Sequence, residues 1–340
     1  MTKTGPRNLI TDVEGLLVGN AQDARLKSGV TAIVCDDSAI ASVQVLGGAP
    51  GTRDTDLLEP HNTVESVNAI ALSGGSAFGL DAASGVQAAL REKGVGFQIG
   101  DAVIPIVPGA ILFDMINGGD KNWGVYPPYR ELGYEATLAA GIDFDTGTAG
   151  AGAGAVTAEL KGGLGSASTA FDNGVTVGAL VAVNSVGTVN VGGGAHFWAA
   201  PFEIGDEFGG LGLPSPLPEN TSELRIKFRE RQKLEGTNTT ISVIATDAVL
   251  TKAEAKRLAV AAHDGYARAI WPAHTPYDGD LIFCLATGRS GKTLDVDGFL
   301  DLCAMAAATM SRAIARGIYE ATAEPGDLWP TWQERYGKPD

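Results

Sequence analysis

The sequence predicts one mixed α/β domain whose sheets are covered on both faces. The chain has 340 residues, of which 44% are apolar, and this is enough to bury a substantial core. Its β-branched runs are apolar at successive positions rather than alternate ones, as is typical of strands buried on both faces. Helical repeats of apolar residues lie between these runs. No fixed-period repeat indicates a solenoid, and no second domain is predicted.

Seven runs are predicted as strands, because they are apolar, rich in β-branched residues and bordered by turn residues. They are Gly29–Cys35, Ala41–Leu46, Val67–Leu72, Val175–Val183, Thr188–Val191, Ile241–Ala245 and Asp280–Thr287. The 46 glycines cluster beside such runs, so they indicate tight turns and not a low-complexity chain.

Three helices are predicted from apolar residues at helical spacing. The first follows the glycine turn Ser73–Ser76, and the second begins at a capping box formed by Thr251 and Glu254. The apolar positions are Leu80, Ala83, Val86 and Leu90 in the first helix, Leu258, Ala262, Gly265 and Ala269 in the second, and Leu300, Cys303, Ala307, Met310 and Ile314 in the third. The Pro- and Gly-rich, charged segment 208–232 is predicted as an exposed loop leading to Asn238.

The charge of the chain argues against two classes of partner. Forty acidic and 25 basic side chains give a formal net charge of −15, which repels nucleic-acid phosphates and anionic membranes. The amino terminus lacks the apolar segment of a signal peptide, and the apolar run Ala102–Phe113 is too short to span a bilayer. We therefore expect a cytoplasmic enzyme that binds neither nucleic acid nor membrane.

The metal-binding residue types are sparse and scattered. Cys35, Cys284 and Cys303 are widely spaced and odd in number, and the four histidines show no short spacing. Disulfides, a zinc site and a cofactor are not expected.

Two glycine motifs suggest other functions. Ala286–Thr293 resembles a phosphate-binding loop, with Lys292 for phosphates and Thr293 for magnesium, although Ala286 replaces the first glycine and only 47 residues follow. Gly74-Gly75-Ser76 nearly fits the turn that carries a hydrolase serine, but Phe78 replaces its last glycine. The amides of this turn either bind an anion and line a pocket or only form a tight turn.

Asn238-Thr239 is the most informative pair of residues. Thr239 directly follows an asparagine at the start of the strongly apolar strand Ile241–Ala245. If this peptide bond is cut, Thr239 gains a free α-amine beside its own hydroxyl, so nucleophile and general base share one residue. As an isolated pair, it is more typical of a polar turn before a strand, and only the rest of the sequence favours the nucleophile.

Four polar residues are candidates to assist such a nucleophile. Lys161, on a glycine-rich turn, has a cation that lowers the pKa of a nearby amine. Asn184, at the end of a strand, has an amide that can donate to an oxyanion. Asp278 and Asp280 carry carboxylates that can bind an ammonium group or orient the nucleophile.

From Gly29 almost to its end, the chain resembles the DmpA-type aminopeptidases. These are relatives of the L-aminopeptidase/D-amino-acid esterase, the β-peptidyl aminopeptidases and the nylon-oligomer (6-aminohexanoate oligomer) hydrolases. The resemblance is carried by four strings in the same order: Gly48-Ala49-Pro50-Gly51-Thr52-Arg53, Leu72-Ser73-Gly74-Gly75-Ser76-Ala77-Phe78-Gly79-Leu80, Lys161-Gly162-Gly163-Leu164-Gly165 and Asn238-Thr239-Thr240-Ile241.

The resemblance implies a four-layer α-β-β-α sandwich of the N-terminal-nucleophile hydrolase type. It also implies autocatalytic cleavage into fragments 1–238 and 239–340, which stay together in a homo-oligomer that we expect to be a tetramer of cleaved protomers. Matched position by position, Thr239 is like the family nucleophile, Lys161 and Asn184 are like the pocket lysine and oxyanion asparagine, and Asp278 and Asp280 are like the paired polar residues. The threonine and the two aspartates resemble the nylon-oligomer hydrolases more closely than the serine enzymes.

One position departs from the family pattern. Phe113 stands where several relatives carry an active-site tyrosine, so that phenol donor is missing here. Asn184 and backbone amides are then the expected oxyanion donors.

The predicted function is therefore a self-processing hydrolase of short peptides, amino-acid amides or 6-aminohexanoate-type oligomers. Three alternatives remain open from the sequence: an acyltransferase of the ornithine-acetyltransferase type, a nucleotide-binding protein that uses Gly291-Lys292-Thr293, and a non-catalytic binding or scaffold protein.

Overall fold

The computed structural model describes residues 3–227 and 238–337. Its main sheet has the strand order β3-β7-β4-β2-β11-β10-β9-β8, with β1 also paired to β2. The strands are β1 (Leu16–Asp23), β2 (Ser28–Val45), β3 (Thr52–Arg53), β4 (Ser66–Ser73), β7 (Gly109–Ile111), β8 (Gly163–Ala170), β9 (Thr176–Val183), β10 (Ile241–Thr246) and β11 (Leu281–Ala286). A separate hairpin consists of β5 (Phe97–Ile99) and β6 (Ala102–Ile104).

Strand β2 joins two layers of this sheet. Its first half pairs with β1 and β4, its second half pairs with β11, and the register against β4 shifts between Val34 and Ala39. The two runs predicted at 29–35 and 41–46 are therefore one long strand.

The helices are α1 (Ala82–Glu92), α2 (Tyr129–Leu138), α3 (Lys252–Ala267), α4 (Val296–Tyr319) and the short α5 (Trp332–Tyr336). Three apolar cores separate these helices and the two sheet layers. One core lies between α1–α2 and the layer of β2 and β4, one lies between the two sheet layers, and one lies between the second layer and α3–α4. Three cores between four layers make the α-β-β-α sandwich, so the predicted fold class is confirmed.

The alternation of side chains along β11 shows why its sequence is apolar throughout. Leu281, Phe283 and Leu285 point into the core between the sheet layers, and Ile282 and Cys284 point towards α3 and α4. Both faces are buried, as the continuous apolar pattern predicts.

Some sequence predictions were wrong. Thr188–Val191 is not a strand, since Thr188 and Asn190 make only isolated bridges. The glycine-rich turn expected after Lys161 is instead the start of β8, and its glycines let α4 approach: a Cβ on Gly165 would lie 1.9 Å from Ala313 O.

Helix α3 begins as predicted, and the Thr251 capping box is present. The first predicted helix starts later than expected, because Leu80 lies in a 3₁₀ helix, Ser76–Asp81, and α1 begins at Ala82. The expected α4 stripe is buried at Ala307, Met310 and Ile314, half-buried at Cys303 and exposed at Leu300. In the described part of segment 208–232, the chain is irregular and mostly exposed, but Phe208 and Lys227 are buried. Residues 228–232 of that prediction lie outside the described residues.

Helix α4 is also the one described helix that is long and apolar enough, by composition, to cross a membrane. Most of its apolar window is buried. It packs against β8, β9 and α3, as the core helix of a folded domain does.

Candidate active site

The site is built where three strands of the second layer begin or end. Strands β10 and β11 are parallel with Ile241 opposite Leu281, and β9 is antiparallel to β10 with Ile241 opposite Ala182. Continuing both registers by two residues places Thr239 between Gly279 on one side and Asn184 on the other. Asn238 and Asp278 form a parallel bridge, which confirms that the β10–β11 register continues.

Thr239 is almost fully buried and faces the peptide bond that precedes it. Its Oγ1 donates to Asn238 O at 2.6 Å, and its backbone N–H donates to Asn184 O at 3.2 Å. The hydroxyl and the carbonyl that the sequence pairs as nucleophile and target are therefore in direct contact.

Gly279 holds the same carbonyl from the other side. Its N–H donates to Asn238 O at 2.7 Å, so this amide is placed to stabilise negative charge that develops on that oxygen. A Cβ on Gly279 would lie 2.6 Å from both Thr239 Oγ1 and Ala49 O, closer than van der Waals contact allows. A glycine is needed here because of the space that Thr239 occupies.

Asp278 and Asp280, on either side of Gly279, fix the backbone around the nucleophile. Asp280 Oδ1 accepts from the N–H of Thr240 at 2.9 Å. Asp278 accepts from Thr275 N and Oγ1 and from Val186 N. Burial, and then the negative charge of Asp280, raise the pKa of Asp278 to about 6.

Asn184 is fully buried and uses all of its polar atoms. Its Nδ2 donates to Phe113 O at 3.0 Å, and its Oδ1 accepts from Val156 N at 3.0 Å. The predicted oxyanion donor is thus bonded to the backbone of the residue that replaces the family tyrosine, and its own carbonyl positions Thr239.

Lys161 is buried but faces carboxylates. Its Nζ lies 2.7 Å from Asp327 Oδ2 and 3.4 Å from Glu324 Oε2, and Asp327 also pairs with Lys27. These contacts lower the pKa of Asp327 despite its partial burial. The positive charge of Lys161 is therefore largely compensated where it lies.

Lys227 is the site residue that the sequence did not predict. Its buried Nζ donates to Val156 O at 2.6 Å and to Asn184 Oδ1 at 3.0 Å, and it lies 3.4 Å from Asn184 O. That last carbonyl also accepts from Thr239 N, so the ammonium lies close to the nitrogen that cleavage would free. Burial lowers the pKa of Lys227 to about 7.

The glycine turn after β4 is filled by the protein itself. The Gly75 N–H donates to Asp114 Oδ1 at 2.8 Å, and the Ser76 N–H donates to Leu112 O. Asp114 also accepts from Ser28 Oγ at 2.6 Å. The Gly75 and Ser76 amides are therefore already bonded within the protein, which favours a structural role for them over binding of an outside anion. That this turn lines the substrate pocket stays a prediction.

The loop 286–293 differs from a phosphate-binding loop in the start of its next helix. Lys292 is exposed, and α4 begins at Val296. The Asp295 carboxylate caps that helix by accepting from Gly298 N, so an acidic group stands where a phosphate would bind the helix amides.

Comparisons with known proteins agree on one family. The model of "Peptidase family S58" matches residues 8–327. An uncharacterized aminopeptidase of Mycobacterium tuberculosis (strain ATCC 25618 / H37Rv) is 41% identical over 348 residues, covering 97% of this chain and 98% of that protein. A 6-aminohexanoate-oligomer endohydrolase of Kocuria sp. (strain KY2) is 28% identical over 300 residues, covering 84% of this chain and 76% of that protein.

Solved structures give the same fold at low sequence identity. A Burkholderia sp. β-aminopeptidase has a TM-score of 0.69 and 22% identity, covering 100% of this chain and 97% of that one. An L-aminopeptidase D-Ala-esterase/amidase from Ochrobactrum anthropi, described as a variant of the Ntn (N-terminal-nucleophile) hydrolase fold, has a TM-score of 0.68 and 21% identity, with coverages of 98% and 96%.

The family match over most of the chain, the similar aminopeptidases and the shared fold agree with the presence of Asn238 and Thr239 just before the start of β10. The chain belongs to peptidase family S58 and is a hydrolase of peptide or linear amide bonds.

Proposed function

We propose that this protein is a self-processing aminopeptidase in which cleavage of the Asn238–Thr239 bond creates the catalytic N-terminal threonine. The observation that supports this most strongly is the contact of Thr239 Oγ1 with Asn238 O, with Gly279 N–H on the same oxygen. A nucleophile, its target and an oxyanion donor are then present in the uncut chain.

In the cleavage step, Thr239 Oγ attacks the Asn238 carbonyl carbon while the Gly279 amide stabilises the oxyanion. The C–N bond breaks, the nitrogen takes up the proton that the hydroxyl gave up and becomes the Thr239 α-amine, and Asn238 is left as an ester on Oγ. Water hydrolyses this ester, which releases the Asn238 carboxylate and restores the hydroxyl. Fragments 1–238 and 239–340 result.

In the mature enzyme, the Thr239 α-amine takes the proton from its own Oγ as the hydroxyl attacks a substrate carbonyl. The amine then gives this proton to the leaving amine, and water hydrolyses the acyl-enzyme. A free α-amine has a pKa of roughly 7.7–8.0, so a modest lowering makes it neutral at physiological pH.

Lys227 is the residue that we expect to lower this pKa. Its Nζ shares the Asn184 carbonyl with Thr239 N, and burial lowers the pKa of Lys227 to about 7, so the two nitrogens titrate in the same range. A proton on Lys227 disfavours a proton on the amine, which lowers the pKa of the amine. Lys161 remains a candidate pocket lysine, but Asp327 and Glu324 offset its charge. We assign it the smaller effect.

Asn184, Asp278 and Asp280 hold the nucleophile in place. A donor role for Asn184 toward substrate requires its Nδ2 to exchange Phe113 O for the oxyanion. Asp280 positions the Thr240 amide, and Asp278 keeps the turn that presents the Gly279 amide.

For the substrate, we propose short peptides or amino-acid amides first and 6-aminohexanoate oligomers second. The aminopeptidase relatives are 41% identical over nearly the whole chain, against 28% for the endohydrolases. The homo-oligomer and the cytoplasmic location stay predictions. Light scattering of the purified protein measures the first, and fractionation of the source cells measures the second.

Two neighbouring threonines provide a matched test. Thr239→Val and Thr240→Val each replace a buried hydroxyl by a methyl group of the same shape, and Thr240 Oγ1 has no hydrogen-bond partner among the described residues. Thr239→Val should remain one chain and hydrolyse no p-nitroanilide, whereas Thr240→Val should be cut and active. An active, uncut Thr239→Val protein would contradict the proposal.

The same assay separates hydrolysis from acyl transfer. Products are analysed with and without ornithine in the reaction. Water is the expected acceptor in both mixtures, and acylated ornithine as the main product would replace the hydrolase assignment.

A further inference from the structure

A pair of histidines lies behind Asp280, on the side away from Thr240. His274 Nδ1 is 2.9 Å from Asp280 Oδ2, and its backbone N–H donates to the same oxygen at 3.1 Å. His263, in the middle of α3, has Nδ1 3.3 Å from His274 Nε2 and Nε2 3.0 Å from Gln44 O. The contacts therefore run from Gln44 O through His263 and His274 to the Asp280 carboxylate, which in turn holds the N–H of Thr240.

Hydrogen-bond chemistry fixes the state of His263. A backbone carbonyl only accepts, so the Nε2 that faces Gln44 O must carry a proton. His263 is almost fully buried, and this burial lowers its pKa to about 4, so it is neutral near pH 7. Its Nδ1 is then an acceptor, and the bond to His274 is donated by His274 Nε2.

The other nitrogen of His274 meets an acceptor as well. Asp280 accepts a backbone N–H on each of its two oxygens, from Thr240 on Oδ1 and from His274 on Oδ2, and Oδ2 also faces His274 Nδ1. Hydrogen bonds donated to both oxygens stabilise the ionised carboxylate, which leaves the proton of the Oδ2–Nδ1 contact on Nδ1. Both ring nitrogens of His274 are therefore donors.

We propose that His274 is an imidazolium that positions Asp280 and so holds the backbone of the nucleophile. It bonds neutral His263 through Nε2 and the Asp280 carboxylate through Nδ1. This inference rests on the proposed function of Thr239, because its purpose is to fix the residue that follows the nucleophile.

The charge of His274 also affects the ionisation of Asp278, the second carboxylate of the turn. The titratable groups in contact with His274 are Asp280 from the turn and His263 and Tyr266 from α3, with the Tyr266 ring centre 5.2 Å away, and Asp278 interacts in turn with Asp280. Asp278 is disfavoured in its ionised form by the charge of Asp280. A cation on His274 offsets part of that repulsion, so both carboxylates can be ionised at once.

The backbone of His274 suggests the substitution that tests this. Its φ is +56°, in the left-handed region that asparagine tolerates best after glycine. In His274→Asn, the amide nitrogen branches from the chain where Nδ1 does, so the variant can still donate to Asp280 but carries no charge. His61→Asn, at an exposed position, is the matched control.

The first measurement is the pH profile of kcat/KM on a p-nitroanilide substrate. For His274→Asn we expect the acid limb to move to higher pH by on the order of one unit, with about a tenfold loss below that limb. The high-pH plateau should change little, and His61→Asn should match wild type. A uniform loss at every pH, or an unmoved limb, would assign His274 only a structural role and overturn the proposal.

The second measurement is ¹⁵N NMR of the histidine rings in the uncut Thr239→Val protein, which needs no activity. His274 should show two protonated nitrogens of imidazolium type at pH 7, and His263 should show one. A neutral His274 ring would overturn the proposal even if Thr239 is the nucleophile. An imidazolium in the Thr239→Val protein, together with a wild-type protein that is never cut, would instead count against the proposed function alone.

Discussion

The most specific prediction concerns the amide and the missing side chain of Gly279. In Gly279→Ala, the added methyl group would lie 2.6 Å from Thr239 Oγ1, 2.6 Å from Ala49 O and 3.0 Å from Thr239 Cγ2. Carbon–oxygen contacts closer than about 3 Å force one partner to shift. The clash with Ala49 O can be relieved only by a shift of the backbone, and the clash with Thr239 is relieved by a displacement of its side chain, so the reacting groups move in either case.

The size of the effect follows from two costs. Overpacking of this kind typically costs about 1–3 kcal/mol, which the fold can tolerate. A misplacement of the reacting atoms by about 1 Å costs roughly a hundredfold in rate, and weakening a single oxyanion donor costs about a hundred- to a thousandfold. We therefore expect a folded variant whose self-cleavage is slowed at least about a hundredfold.

The assay follows the fraction of full-length chain against time by gel, from purified uncut protein, with circular dichroism as the test of folding. Gly141→Ala is the matched control, since a Cβ there would meet only Asp143 O at 3.6 Å, an ordinary contact. The control should be cut at the wild-type rate. A folded Gly279→Ala protein that is also cut at that rate would refute the role of this glycine.

Three further predictions test the electrostatics of the site. Because burial and the charge of Asp280 raise the pKa of Asp278 to about 6, kcat/KM should fall below pH 6 as Asp278 takes up a proton in addition to the α-amine. Asp278→Asn should lack this second protonation, and equal slopes in the pH–rate profiles of the two proteins would count against it. In Lys227→Met, the pH at which activity rises should increase by on the order of one unit, because the Thr239 α-amine loses a nearby positive charge, and Lys161→Met should raise it less. The reverse order would show that Lys161 is the residue that lowers the pKa of the amine. Burial lowers the pKa of His263 to about 4, so between about pH 6.5 and 4 the unfolded chain binds a proton that the folded chain does not, and the free energy of unfolding falls as the pH drops. In urea titrations, His263→Gln should remove about 3 kcal/mol of that fall, and an unchanged pH dependence would contradict this.

Local sequence patterns predicted the two halves of the site but not how they meet. Asn238-Thr239 and Asp278-Gly279-Asp280 each stand out beside an apolar strand. Their contact depends on the parallel register of β10 and β11, in which residues 40 apart in sequence lie side by side. Strand pairing is a long-range property, so the oxyanion role of Gly279 had no local signal.

Lys227 and the histidine pair were not predictable for a related reason. Lys227 lies in a charged, Pro-rich segment in which burial of a single lysine has no sequence signature. His263 and His274 come together because α3 packs on the turn before β11. His274 lies beyond the end of α3 at Ala267, so the two residues share no helix face, and their separation matches no metal-binding motif. Lys161 was found from its motif, but its pairing with Asp327 required the fold.

The glycines of β8 were misinterpreted because small residues indicate turns as readily as close packing. Gly163 and Gly165 face α4, and a Cβ on them would lie 2.1 Å and 1.9 Å, respectively, from a helix carbonyl oxygen. The long β2 was predicted as two strands because exposed Asp36, Asp37 and Ser38 interrupt its apolar pattern. In both cases, the structure was decided by a neighbouring element: α4 for β8, and β4 and β11 for β2.

The central claim is that the working enzyme carries Thr239 as a free amino terminus. The measurement that tests it most directly is the intact mass of the purified, active wild-type protein together with sequencing of every amino terminus. We expect two chains of 238 and 102 residues, the second beginning at Thr239. Full activity in a preparation that contains only the unbroken 340-residue chain would contradict it.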